Sequence, residues 1–163
     1  MKPKIVILDA HTTSPLAVGE TDPRYPDWEE ISQIGDLTVY PRTRPEEVLE
    51  RAAGASFVLT NKVVLDADKI RQLPDLRYIG LMSTGTNAVD LDAARERDLT
   101  VCNVPAYSTP SVAQHAIALV LELSTRLSEH AALVRSGKWS AQPDFSITVG
   151  PITELAGKNF GIV

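Results

Sequence analysis

Thiols are nearly missing from these 163 residues: Cys102 stands alone. A single cysteine excludes an internal disulfide and carries no mark of an oxidising compartment, which leaves a cytoplasmic location as the expectation. Histidine is scarce too, at His11, His115 and His130. None lies at metal-ligand spacing from cysteine or carboxylate, so no metal is expected. His115 falls in an apolar helical stretch and reads as a packed residue, and His130 reads as helix surface. The sequence has no G-x-S-x-G elbow and no G-x-G-x-x-G fingerprint, and therefore neither a hydrolase nucleophile nor a dinucleotide-phosphate loop. Basic charge is the minority, 16 Lys and Arg against 21 Asp and Glu for a net charge of −5. It is not clustered, which argues against nucleic acid or an anionic membrane as partner. No apolar run reaches the length of a membrane span, and the stretch in "MKPKIVILDA" is too short for a signal peptide.

What the sequence does have is a regular alternation. Apolar runs occur at 4–8, 37–41, 56–60, 77–82 and 100–104, and helical patterns fall between them near 28–34, 46–53, 66–72 and 90–97. Pro45 suits a first helical position and Asp90 an N-cap. Continuously apolar strands separated by helices predict a parallel sheet covered on both faces. Residues 1–105 therefore read as a doubly wound α/β domain.

The texture changes at "STPSVAQHAIALVLELSTRLSEHAALVRSG". Ser108 or Thr109 can cap, Pro110 suits the first turn and Gly137 the stop, which predicts one helix of roughly 27 residues, about 40 Å long. Val112 to Leu123 is apolar on nearly every side, which suits burial between two bodies; residues 1–105 supply only one, so the helix is expected to keep an apolar face that they cannot cover. An arm without periodicity follows, containing Trp139, Phe145 and Ile147. The closing "GKNFGIV" reads as a buried strand at 159–163. Such a strand needs support from further protein, from a second copy, or from the chain's own long helix.

In a parallel sheet, ligands bind beyond the carboxyl ends of the strands. Those positions hold "DAHTTS" (9–14), "NK" (61–62), "STGTN" (83–87) and "NVPAYST" (103–109). In "STGTN", Gly85 lets the backbone turn tightly and successive N–H groups can face a small carboxylate. The same pentapeptide also reads as a plain turn whose Ser, Thr and Asn hydrogen-bond locally, and the residues alone favour that simpler reading. Lys62 can add a positive charge at this edge or sit in solvent as a loop lysine.

Four segments in order, "TNK", "STGTNAVD", "NVPAYST-SVAQH" with one intervening residue, and "ELAGK" followed by "GIV", resemble the N-terminal half of the D-isomer-specific 2-hydroxyacid dehydrogenases, in the glycerate dehydrogenase or hydroxypyruvate reductase branch. The resemblance covers essentially the whole chain. It implies a flavodoxin-like substrate-binding domain over 1–105. Residues 106–163 would then carry an interdomain helix, an arm and the first strand of a truncated Rossmann domain. Lys62, Ser83, Thr84, Gly85, Thr86 and Ser108 would bind substrate, with Asn61 close by, and Thr109 and Val112 would border the cofactor. The family's catalytic Arg, Glu and His would lie beyond Val163, leaving no catalytic residue in this chain. The complete protein would use NAD or NADP, act on a small 2-oxoacid or 2-hydroxyacid and form a homodimer. The chain alone would bind no cofactor and be inactive. Thr86 stands where relatives often carry a larger residue. Two other readings remain at this point: a corepressor-like interaction protein on the same fold, and a receiver-like signalling domain, which would want clustered acids where this chain has Asp9 alone.

Overall fold

The computed structural model describes residues 2–25 and 27–162. The chain forms two compact units, residues 1–107 and 108–163. The first opens with β1 (Lys4–Ile7), followed by a 3-10 turn (Ala10–Thr12), α1 (Glu29–Ile34) and β2 (Asp36–Val39). A second 3-10 turn (Pro45–Glu47), α2 (Val48–Ala52), β3 (Phe57–Thr60) and α3 (Ala67–Arg71) follow. The unit closes with β4 (Tyr78–Leu81), α4 (Leu91–Glu96) and β5 (Thr100–Cys102). All ladders are parallel, in the order β2-β1-β3-β4-β5.

The pleat sends alternate residues to opposite faces. Val6, Val58, Ile79 and Leu81 pack on one face with Val48 and Ala52 of α2, Ile70 of α3, and Ala93 and Ala94 of α4. Ile7 packs on the other face with Trp28, and Ile31, Leu37, Leu59 and Met82 close around them. Each fully buried Val, Leu or Ile among them contributes about 1.5–3 kcal/mol relative to exposure. The uninterrupted apolar runs of the strands are thus explained by burial on both sides. Local chemistry sets the helix starts. The Asp66 carboxylate accepts the Lys69 N–H at 2.9 Å and the Asp90 carboxylate accepts the Ala93 N–H at 2.9 Å, each satisfying one of the orphan donors of a first turn.

The second unit holds α5 (Thr109–Thr125), α6 (Leu127–Arg135) and α7 (Lys138–Ala141). The single helix expected over 27 residues is two helices, broken at Arg126, which is left-handed at φ 52°. The hydroxyls of Ser124 and Thr125 both bond the Leu121 carbonyl, at 3.1 and 2.7 Å, drawing the last turn away from its ladder. The Arg126 N–H closes α5 on the Glu122 carbonyl at 2.8 Å. The Glu122 carboxylate meanwhile takes the Ser128 N–H at 3.1 Å, capping the helix that follows. Gly137 ends the pair of helices at φ 75°, where a left-handed residue is needed.

α5 was expected to keep an apolar face that residues 1–105 do not cover, and Ile117 is 51% exposed and Leu121 47%, while Ser124 is the one buried residue of the helix. His115, expected to be packed, is exposed. His130 donates through Nδ1 to the Arg126 carbonyl, at 2.9 Å. The closing segment forms no strand over 159–162, because no ladder partner lies beside it among the described residues; Val163 lies outside them. Leu155, Lys158, Asn159 and Phe160 instead line a cavity of about 240 Å³ with Ile117, Val120 and Leu121. No helix among the described residues is long and apolar enough to cross a membrane.

Candidate functional site

Every strand of the first unit points its carboxyl end the same way, so the loops after β1, β2, β3, β4 and β5 share one edge of the sheet. Asp9 follows β1 and is 5% exposed. Its two oxygens accept the backbone N–H groups of Asn61 at 2.8 Å and Lys62 at 2.6 Å, so a buried carboxylate fastens the turn after β3. The Asn61 amide then donates to Thr12 Oγ1 at 2.8 Å. The sequence offered Asp9 only as an acid after the first strand. Its partners lie 52 and 53 residues away and could not be read from it.

After β4, Ser83 is buried and its hydroxyl donates to the Gly85 carbonyl at 2.9 Å. Thr84 Oγ1 donates to the Val104 carbonyl at 3.1 Å, and the Asn103 side chain donates to the Thr84 carbonyl at 2.7 Å. The Val104 N–H reaches the Ser83 carbonyl at 3.0 Å. The side chains and carbonyls of this loop are therefore tied to the loop after β5. The backbone N–H groups of Ser83, Thr84, Gly85 and Thr86 have no protein acceptor among the described residues. A loop held from behind with consecutive free donors can hold an anion without reorganising.

One expectation at this loop is corrected. Gly85 does not occupy the left-handed region, so its conformational freedom is not what the turn uses. A Cβ there would stand 3.0 Å from Asn87 Oδ1 and meet nothing else within 4 Å. The local hydrogen bonds of the plain-turn reading are present as well, and they leave the amides uncommitted.

The remaining candidates separate. Lys62 is exposed and lines a crevice with Asp9, Arg42 and Arg44. A second hollow, of about 400 Å³, is lined by Thr12, Thr13, Asn61, Met82, Val104 and Tyr107. Ser108, Thr109 and Val112 belong to the second unit, at the start of α5. Ser108 is its N-cap without a side-chain capping bond, and Val112 is 62% exposed. No group of three His, Cys, Asp or Glu among the described residues is placed to hold a metal ion.

Residues 6–158 match the family described as D-isomer specific 2-hydroxyacid dehydrogenase, catalytic domain. The chain belongs to this family. It is 38% identical over 163 residues to a hydroxypyruvate reductase of Blautia hydrogenotrophica, a match that spans 98% of this chain and 48% of that protein. It is 38% identical over 119 residues to a glycerate dehydrogenase of Methylorubrum extorquens, spanning 73% of this chain and 38% of that one. The chain thus spans about half the length of the first of these relatives and less of the second. Among solved structures, a D-isomer specific 2-hydroxyacid dehydrogenase from Polaromonas superposes with a TM-score of 0.68 at 27% identity, covering 96% of this chain and 46% of that one. A glyoxylate/hydroxypyruvate reductase of Sinorhizobium meliloti, solved with NADP and malonate, shares the fold with a TM-score of 0.66 at 20% identity, over 96% of this chain and 44% of that one.

Proposed function

We propose that this chain is the substrate-binding portion of an NAD(P)-dependent oxidoreductase that interconverts small D-2-hydroxyacids and 2-oxoacids, with hydroxypyruvate and glyoxylate as the oxoacids and glycerate as a hydroxyacid. The observation that carries the reading is the row of uncommitted N–H groups from Ser83 to Thr86 at the carboxyl end of β4. Each donor on a carboxylate oxygen makes a charge-assisted bond, about twice as strong as a neutral one, and the ties to Asn103 and Val104 fix the loop beforehand. Residues 1–105 carry this site. In this reading residues 106–163 join it to a dinucleotide-binding partner domain, and the complete protein is a homodimer.

The residues present do not make a cradle for a dinucleotide. None of the 9 glycines falls in a G-x-G-x-x-G spacing, and that spacing is what lets a backbone approach a pyrophosphate. Ser108 stands at the start of α5 as a further substrate contact, and Thr109 and Val112 only border a nicotinamide. No hydride-transfer step is assigned to this chain, whose part is to bind and orient the oxoacid.

The test pairs two proteins. The 163-residue chain alone should neither bind NADH nor oxidise it with hydroxypyruvate, while a chimera in which it replaces the matching segment of the Blautia reductase should do both. Turnover by the chain alone, with host dehydrogenases excluded, would overturn the assignment. A folded chimera that binds NADH but reduces no oxoacid would favour a corepressor-like protein.

A further inference from the structure

The second unit holds a cavity of about 240 Å³ that none of the sheet-edge loops lines. One wall is α5, where Ile117, Val120 and Leu121 fall at i, i+3 and i+4 and so share a face of the helix. The other wall is the closing segment, through Leu155, Lys158, Asn159 and Phe160.

Polar ties, rather than apolar contacts, hold that second wall. The Thr153 N–H donates to the Ser124 carbonyl at 2.8 Å, and just upstream the Arg126 guanidinium donates to the Val149 carbonyl at 3.2 Å. A turn follows, closed by the Lys158 N–H on the Leu155 carbonyl at 3.0 Å, with Gly157 left-handed at φ 70°. The turn brings Leu155 and Lys158 to the same space. Both walls are thus fixed by bonds made outside the cavity, and the space between them is left unfilled.

Size and lining restrict what can enter. The volume lies below the range of about 300–1,000 Å³ that serves drug-sized ligands, whereas a dry cavity of roughly 150 Å³ lined by such side chains is enough for one benzene ring. Five of the seven lining residues are apolar, and Lys158 is the only charged one; its acidic neighbour Glu154 is not among them. A lysine on an apolar wall lays its stem along that wall and keeps its ammonium in water. An anionic group entering with an apolar body would give that ammonium a charge-assisted bond, while the body displaces water from Ile117, Val120 and Leu121.

We propose that this cavity binds a monocarboxylate with a compact apolar body, one aromatic ring or a branched chain of similar size, its carboxylate on Lys158 and its body between α5 and Phe160. A rigid ring loses little freedom on entering. The small polar oxoacids have no such body, and the site does not depend on the Ser83–Thr86 reading.

The experiment is an amide NMR titration of the 163-residue chain with benzoate, with benzyl alcohol as the ring without the charge and acetate as the charge without the ring, at constant ionic strength. Saturable shifts with benzoate are expected at Ile117, Val120, Leu121, Leu155 and Lys158, with benzyl alcohol and acetate each at least fivefold weaker. Lys158→Gln should weaken benzoate at least fivefold and leave benzyl alcohol unchanged, and Leu121→Ala should weaken both. Lys158 and Leu121 are exposed, and unchanged amide positions in α6 and α7 would show that the variants keep the fold of the second unit. Non-saturable shifts, acetate or benzyl alcohol binding as tightly as benzoate, equal benzoate affinity in Lys158→Gln, or shifts confined to Ser83–Asn87 would each overturn the site. Failure of oxoacid binding at Ser83–Thr86 would leave these shifts in place, so the two readings fail separately.

Discussion

Asp9 bears more of the architecture of the binding edge than any other side chain there, because two backbone donors depend on it. Asp9→Ala would leave the half-buried Asn61 and Lys62 amides without their acceptor, at a cost of about 1 kcal/mol for each bond lost. The expected outcome is a lower midpoint in urea unfolding with faster amide exchange at Asn61 and Lys62. Under the proposed function Gly85 is the opposite case, a position that serves the oxoacid by having no side chain. Gly85→Val, placed in the chimera with the Blautia reductase, should push Asn87 aside and screen the neighbouring N–H groups. Loss of one charge-assisted bond costs about 1.5–3 kcal/mol, so the Michaelis constant for the oxoacid should rise roughly ten- to a hundredfold while NADH affinity stays unchanged. Steady-state kinetics with separate titration of NADH reads both. At this scale the sequence marked the loop itself, through "STGTN" after an apolar run. It could not mark the use of Gly85, because backbone angles depend on how Asn103 and Val104 hold the loop from another strand.

Helix starts were legible where one residue does the capping. Asp90 was read as a cap from its place before "LDAARERD", and Asp66 plays the same part for α3. Asp66→Ala and Asp90→Ala should each cost about 1 kcal/mol, measured as a shift of the thermal midpoint. Asp66 also responds to acid. The Lys69 ammonium, and then the Lys69 N–H, hold its carboxyl below the ordinary 3.8. A carboxyl lowered on folding stabilises the protein above its unfolded value, and that contribution is lost as pH falls below about 4 and through the lowered folded value. Asp66→Ala should therefore flatten the acid limb of the stability curve. The break at Arg126 was hidden from sequence, since Ser124, Thr125 and Glu122 are each compatible with a helix interior. Their joint bonding to Leu121 and Ser128 appears only once the chain turns. The missing strand at 159–162 has a different cause: periodicity reports an apolar face, while a ladder also needs a neighbour.

The two units differ sharply in how much they bury. The fully buried apolar side chains lie between Ile5 and Ala94, whereas α5 contributes only Ser124 and α6 contributes none. Hydrogen exchange should therefore be slowest in β1, β3 and β4 and fastest in α6 and α7; equal protection across both units, measured by mass spectrometry, would contradict this. The doubly wound class and all five strands were legible as a whole, because burial on both faces writes unbroken apolar runs into the sequence. The placement of β1 has a further consequence, during synthesis. It sits between β2 and β3, yet it leaves the ribosome before either of them. Ile5, Val6 and Ile7 must wait for Phe57–Thr60 before their second neighbour exists. For that interval the nascent chain presents a sticky apolar segment ahead of its partner strand, and a pause in translation before residue 60 would lengthen that exposure.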